Sequence, residues 1–385
     1  MPSSPPSPAP APPSAPNAGA PQAPSPAEIT DALQKRVIGQ HEALREMAIS
    51  LSKKLAGLPV GNLLMIGSSG SGKTTLMRAV ERYLESRPDL ALRSTVVRMH
   101  ANVLGEAARL GKPGEAVLHR MLERAREQLG AEASTERLVE QARHGIVFVD
   151  EVDKIRAWVG DQPNISGIRA QEALLTVMEN EAVPLELPQW AGGEQITVDS
   201  SQLLFVCGGA FEGLYDSVFD RVTIGKDKGA LQAKTVVEGG QVREILDFHL
   251  RDWVRNEDLF DYGMSPQFLS RFDAVVMLQD LRIQDLEQIF LQIADSGYHQ
   301  ARAYFKSRGL NLLLSKQAVR RIALEASYEP RLGARALKEV FRRVMRDYEF
   351  DPASHVNGPA KGGPENAVML DVGDVEVALE KRQRG

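Results

Sequence analysis

Residues 67–74 read Gly67-Ser-Ser-Gly-Ser-Gly-Lys-Thr74, which fits the spacing G-x-x-x-x-G-K-[ST]. An apolar run, Leu63-Leu-Met-Ile66, precedes it. In the stretch that follows, Leu76, Val80, Tyr83 and Leu84 fall on one helical face. The segment therefore predicts a strand, a tight loop and a helix, and commits the chain to an α/β fold. Gly67, Gly70 and Gly72 let the backbone from Ser69 to Thr75 wrap closely around phosphate oxygens, with successive N–H groups and the helix N-terminus forming a positive cradle. Lys73 would reach the β- and γ-phosphates of a nucleotide such as ATP, and Thr74 would offer its hydroxyl to Mg²⁺. The bland alternative, a glycine-rich turn before a helix, does not require this flanking context.

A second segment, Gly145-Ile-Val-Phe-Val-Asp-Glu151, predicts a buried parallel strand with two carboxylates at its carboxyl end, where ligands of open α/β sheets bind. Alone, such an ending is more often a helix cap or a solvated loop. Beside a phosphate loop, Asp150 is the candidate for the Mg²⁺ shell and Glu151 for the base that deprotonates the attacking water. Further apolar runs at 95–99, 200–210 and 274–278 bring the strands to five, alternating with helical patterns from Glu28, at 41–55 after a break at Gly39, at 74–84 and at 117–129. The stretch 101–114 reads as irregular. From about Ile283 helical periodicity takes over, closing with a strand at 368–371 and a helix from Asp374. The expected organisation is a tail at 1–27, a large α/β domain at 28–281 and a smaller, mainly helical domain at 282–385.

The tail is almost wholly Pro, Ala and Ser and holds half of the chain's 22 prolines. So little apolar bulk cannot offset the entropy of ordering, so it reads as a disordered spacer or a docking arm. A net charge of −5 argues against a general nucleic-acid or anionic-membrane binder. One cysteine, Cys207, excludes an internal disulfide, and no Cys/His pairs stand at zinc spacing. With no signal peptide and no membrane-spanning run, the expected location is the cytoplasm.

The order of these segments resembles an AAA+ ATPase, and within that superfamily the ClpX/HslU-type protein unfoldases. The resemblance is carried by Val198-Asp-Ser-Ser-Gln-Leu-Leu-Phe-Val-Cys-Gly-Gly-Ala-Phe211, by Tyr262-Gly-Met-Ser-Pro-Gln-Phe-Leu-Ser-Arg-Phe272 and by Gly333-Ala-Arg-Ala-Leu337. It implies an AAA+ large domain built on a parallel five-stranded sheet flanked by helices, followed by a small helical domain. It also implies that Val37 and Ile38 line the adenine pocket, that Arg271 is an arginine finger for the neighbouring subunit's γ-phosphate, and that Arg335 is the sensor-2 arginine. Without the resemblance, each arginine would read as a surface ion pair. A homo-hexamer acting on protein clients follows, with ATP and Mg²⁺ as cofactors.

Three features depart from that family. The pore-loop position reads Ala108-Arg-Leu-Gly111 instead of Gly-Tyr-Val-Gly. Thr223-Ile-Gly-Lys-Asp-Lys228 replaces the Ile-Gly-Phe peptidase-docking loop, and no zinc domain precedes the ATPase region. A ring remodeller without a dedicated peptidase is the preferred expectation. The alternatives are a nucleotide-gated scaffold or switch and, against the charge balance, a machine acting on nucleic acid.

Overall fold

The computed structural model describes residues 23–109, 114–179, 182–224, 233–238, 241–246, 248–329, 331–356 and 366–380. The tail up to Gln22, Leu110 and Gly111 of the expected pore loop, Gly225 to Lys228 of the docking-loop position and the Gly/Pro-rich stretch at 357–364 lie outside these residues.

Five strands make the central sheet: β1 (Asn62–Ile66), β2 (Val96–His100), β3 (Ile146–Asp150), β4 (Leu204–Gly209) and β5 (Phe272–Met277). They are parallel throughout, in the order β5-β1-β4-β3-β2. The uninterrupted apolar runs are explained by burial on both faces, because successive side chains point to opposite sides. Leu64, Ile66, Val147, Val149, Phe205 and Cys207 enter one hydrophobic cluster. Their neighbours Leu63, Met65, Ile146, Phe148, Leu204 and Val206 enter the other. Helices Ala101–Arg109, Glu115–Leu129, Ile165–Glu179 and Leu214–Thr223 cover the first face. Pro26–Gln34, His41–Leu55 and Lys73–Glu85 cover the second. Truncating Phe148 to Ala, in the middle of β3 and 1% exposed, would cost about 3–5 kcal/mol.

Residues 101–109 are a helix and not the irregular stretch expected from the sequence. Gly105 weakens the helical signal but serves a close approach: a Cβ there would lie 3.3 Å from the Ser166 carbonyl oxygen and 3.5 Å from the Ala170 Cβ of the helix Ile165–Glu179.

The third cluster joins Leu286, Phe290, Phe305, Ile322, Leu337, Val340 and Phe341 from helices between Ile283 and Phe350. Its strand Ala367–Leu370 pairs in parallel with Asn311–Leu314, which the sequence reading took for helical surroundings. Three consecutive leucines satisfy either period, so the pairing decides. Antiparallel hairpins at Val183–Glu186 with Gln195–Val198 and at Ala233–Glu238 with Gln241–Leu246 were also unanticipated. Among the described residues, no helix is long and apolar enough to cross a membrane.

Candidate nucleotide site

The loop between β1 and the helix Lys73–Glu85 lies at the carboxyl edge of the sheet. Gly70 (φ 79°) and Gly72 (φ 112°) take left-handed conformations that disfavour a side chain. Lys73, 8% exposed, folds back over the loop, and its Nζ donates to the carbonyl oxygens of Gly67 at 2.5 Å and Ser68 at 3.0 Å. Burial pushes its ammonium down to about 8, while Asp150 and Asp153 pull it back up. Among the described residues, the Ser71 Oγ is buried without a hydrogen-bond partner. A cation hydrogen-bonded, among the described residues, to the loop's own carbonyls, together with an orphaned hydroxyl, fits a bound phosphate, which would give both a partner.

β3 delivers the carboxylates to the same edge. The Thr74 hydroxyl donates to Asp150 Oδ2 at 2.9 Å, and the Glu151 backbone N–H donates to Oδ1 at 3.0 Å, so both oxygens are fixed. Thr74 and Asp150 therefore present adjacent oxygens suited to Mg²⁺. Glu151 adopts φ 61°, ψ 37°, a left-handed conformation costing a non-glycine residue about 1–3 kcal/mol. Its Oε2 lies 3.5 Å from Nδ1 of His100 at the end of β2. Asp153, 2% exposed, accepts from the Ala210 N–H at 3.1 Å and so ties the turn after β3 to the end of β4.

The small helical region closes over this edge. Arg335 Nη1 donates to Ser69 Oγ at 2.7 Å, and the Ala334 N–H donates to the Gly70 carbonyl at 3.2 Å. A Cβ on Gly70 would sit 2.0 Å from the Leu332 carbonyl oxygen, so only glycine admits the contact. Arg331 adds an ion pair to Asp216 at 2.5 Å across the same cleft.

Val37 is buried and Ile38 half-buried beside this assembly. Gln40, which the sequence reading did not single out, links them to the loop. Its Nε2 donates to the carbonyls of Ser71 at 2.9 Å and Gln279 at 2.8 Å, and its Oε1 accepts from the Gln279 N–H at 3.0 Å. Ser68 Oγ donates to Asp280 at 2.9 Å. The only sequence signal was that Gln40 follows Gly39, whose φ of 79° marks a turn. Thr75, at the outer side of the helix start, is exposed.

Arg271 stands apart. It precedes β5, and Phe272 is in register with Asn62 at the amino edge of the sheet. β1 is five residues long, which places the phosphate loop about 16 Å away at the opposite edge. The Arg271 guanidinium pairs instead with Glu179.

A left-handed phosphate loop, a Thr–Asp pair beside a Glu, and a helical region touching the loop define a P-loop NTPase of AAA+ build. The family model of the AAA domain (Cdc48 subfamily) matches residues 58–275. The ATP-dependent Clp protease ATP-binding subunit ClpX of Bacteroides thetaiotaomicron is 30% identical over 368 residues, covering 90% of this chain and 80% of that protein. ClpX of Treponema denticola is 28% identical over 354 residues, covering 86% and 78%. The ClpX 3 subunit of Methylococcus capsulatus is 30% identical over 355 residues, covering 85% and 76%. The chain belongs to the AAA family and is a ClpX-like AAA+ ATPase. Membership implies use of a nucleotide with Mg²⁺.

Proposed function

We propose that the chain hydrolyses ATP to ADP and phosphate and spends the cycle on remodelling or unfolding protein clients as a cytoplasmic homo-hexamer. The observation that carries this reading is the separation of the site across the sheet. Lys73, Thr74, Asp150 and Glu151 gather at one edge, and Arg271 stands at the other, a placement that supports a role at a neighbour's nucleotide. In this reading the backbone from Ser69 to Thr75 holds the phosphates, Val37 and Ile38 contact the adenine, and Arg335 couples the domain at 282–385 to the nucleotide held by the domain at 28–281. Thr74 and Asp150 hold Mg²⁺, which when bound neutralises charge on the phosphate oxygens. Glu151 takes the proton of the attacking water, its strained backbone held to Asp150 through its N–H and its carboxylate lying beside His100.

The relatives' names tie them to a Clp protease. The changed sequence at 223–228 favours remodelling without a dedicated peptidase in this chain. The test is ATP turnover together with mass in solution, with and without Mg·ATP. Nucleotide-dependent assembly, with turnover raised by an unfolded protein, is expected. A chain that binds ATP but stays monomeric and turns over indifferently to clients is instead a nucleotide-gated scaffold, a reading favoured by the contacts of Arg331 and Arg335 across the cleft.

A further inference from the structure

The residue proposed to act across the subunit interface does not hang free. The helix Ile165–Glu179 ends on Glu179, whose carboxylate pairs with the Arg271 guanidinium. A carboxylate on the last helical residue faces the negative end of the helix dipole, so the pairing settles that charge as well as the arginine. The backbone of Arg271 is held separately. Asn62 Nδ2 donates to the Arg271 carbonyl at 3.0 Å, while Asn62 Oδ1 accepts from the Phe205 N–H at 3.0 Å, fastening the residue to the starts of β1 and β4. On either side in sequence, the rings of Phe268 and Phe272 meet edge to face with centroids 5.0 Å apart, and Phe268 is fully buried.

Main chain and side-chain tip are thus both fixed, yet 44% of the Arg271 side chain remains exposed. A guanidinium carries five N–H donors in a planar fork. One terminal nitrogen meets Glu179, and among the described residues no other group takes the remaining donors, which leaves them to a second anion.

We propose that Glu179 is a positioning residue for ATP hydrolysis: it splints the Arg271 guanidinium at the amino edge of the sheet, with its free donors presented to the nucleotide of the adjoining subunit. The inference rests on the reading of Arg271 as a finger acting across the interface. An unsplinted arginine must be ordered at each turnover, and immobilising one such side chain accounts for about a three- to tenfold change.

The experiment is steady-state ATPase on the full chain, comparing wild type, Glu179→Ala, Glu179→Asp, Arg271→Ala and the Glu179→Ala/Arg271→Ala double variant. Thermal unfolding and mass in solution are measured for each. Glu179→Ala is expected to lower kcat three- to tenfold with KM for ATP within twofold of wild type. Glu179→Asp should recover part of the loss, and the Ala substitution should add nothing once Arg271 is gone. If Glu179→Ala does not assemble, Glu179→Gln, which keeps the volume and removes the charge, carries the comparison. An undiminished Glu179 effect in the Arg271→Ala background marks a purely structural role and overturns the proposal. A normal kcat in Glu179→Ala beside a depressed one in Arg271→Ala overturns the splint alone. A normal kcat in Arg271→Ala removes the finger, and the splint with it.

Discussion

Two lysines are buried near opposite edges of the central sheet, Lys73 at 8% exposure and Lys54 at 5%, and burial pushes both down to about 8. Lys73 lies under a left-handed glycine loop with Asp150 and Asp153 in its field. Lys54, at the end of the helix His41–Leu55, donates to the Gln202 carbonyl just before β4, and its charged neighbour is Arg93, which lowers it further. The same displacement therefore marks a phosphate-binding candidate in one place and a structural plug in the other. A perturbed pKa gains functional meaning from the groups around it: Lys73 lies under a glycine loop of the kind that suits an anion, and among the described residues no comparable loop surrounds Lys54.

The largest expected effect tests the split between the edges. Glu151→Gln removes the base while keeping the shape and should lower turnover by about 10²–10⁴-fold with nucleotide binding retained. Arg271→Ala should fall by a similar factor, since an arginine finger is worth about 10³-fold or more. Because the two residues would serve different subunits' halves of one site, mixing the inactive variants should restore part of the activity; full inactivity at every mixing ratio would break the comparison.

Nucleotide affinity sharpens it further. Lys73→Ala should weaken ATP binding by at least about tenfold, the loss of a charge-assisted contact, whereas Lys54→Met should leave affinity within twofold. Equilibrium titration with a fluorescent ATP analogue reads both, and equal losses would mean that the two lysines are not distinct in role.

The smallest effect concerns stability. Lys54 goes from 10.5 in the unfolded chain to about 8 when folded. Between these values the unfolded state binds more protons, so this group makes stability rise with pH through that window and contributes no slope below it. At 1.36 kcal/mol per unit the gain is on the order of 1–3 kcal/mol. Denaturant unfolding of wild type and Lys54→Met from pH 7 to 10.5 should diverge by that amount, with wild type gaining on the variant. Parallel curves would show that Lys54 is not desolvated.

Much of the site was legible because its parts are contiguous. Residues 62–85 carry the strand, its loop and its helix in one stretch, and the run ending at Asp150 and Glu151 announces a buried strand with carboxylates at its tip. Gln40 was not legible, since its partner Gln279 lies 239 positions away and a lone glutamine after a glycine carries no signal. The helix 101–109 was hidden by Gly105, a poor helix former that is needed where two helices approach closely. Asn311–Leu314 was hidden because a short leucine run suits a strand as well as a helix until a partner is found.

By itself, the sequence determined the alternation of strands and helices, the glycine loop and the carboxylate pair, because hydrophobic period and loop chemistry act over a few residues. Only the tertiary structure decided the strand order β5-β1-β4-β3-β2, and with it which groups meet. That order leaves β4 alone between β3 and β1, so that Asp150 reaches Thr74, and it starts β5 beside Asn62, so that Arg271 stands at the edge opposite its own glycine loop. Such meetings depend on pairing between segments far apart in the chain, a choice fixed by packing both faces of the sheet at once rather than by any local run of residues.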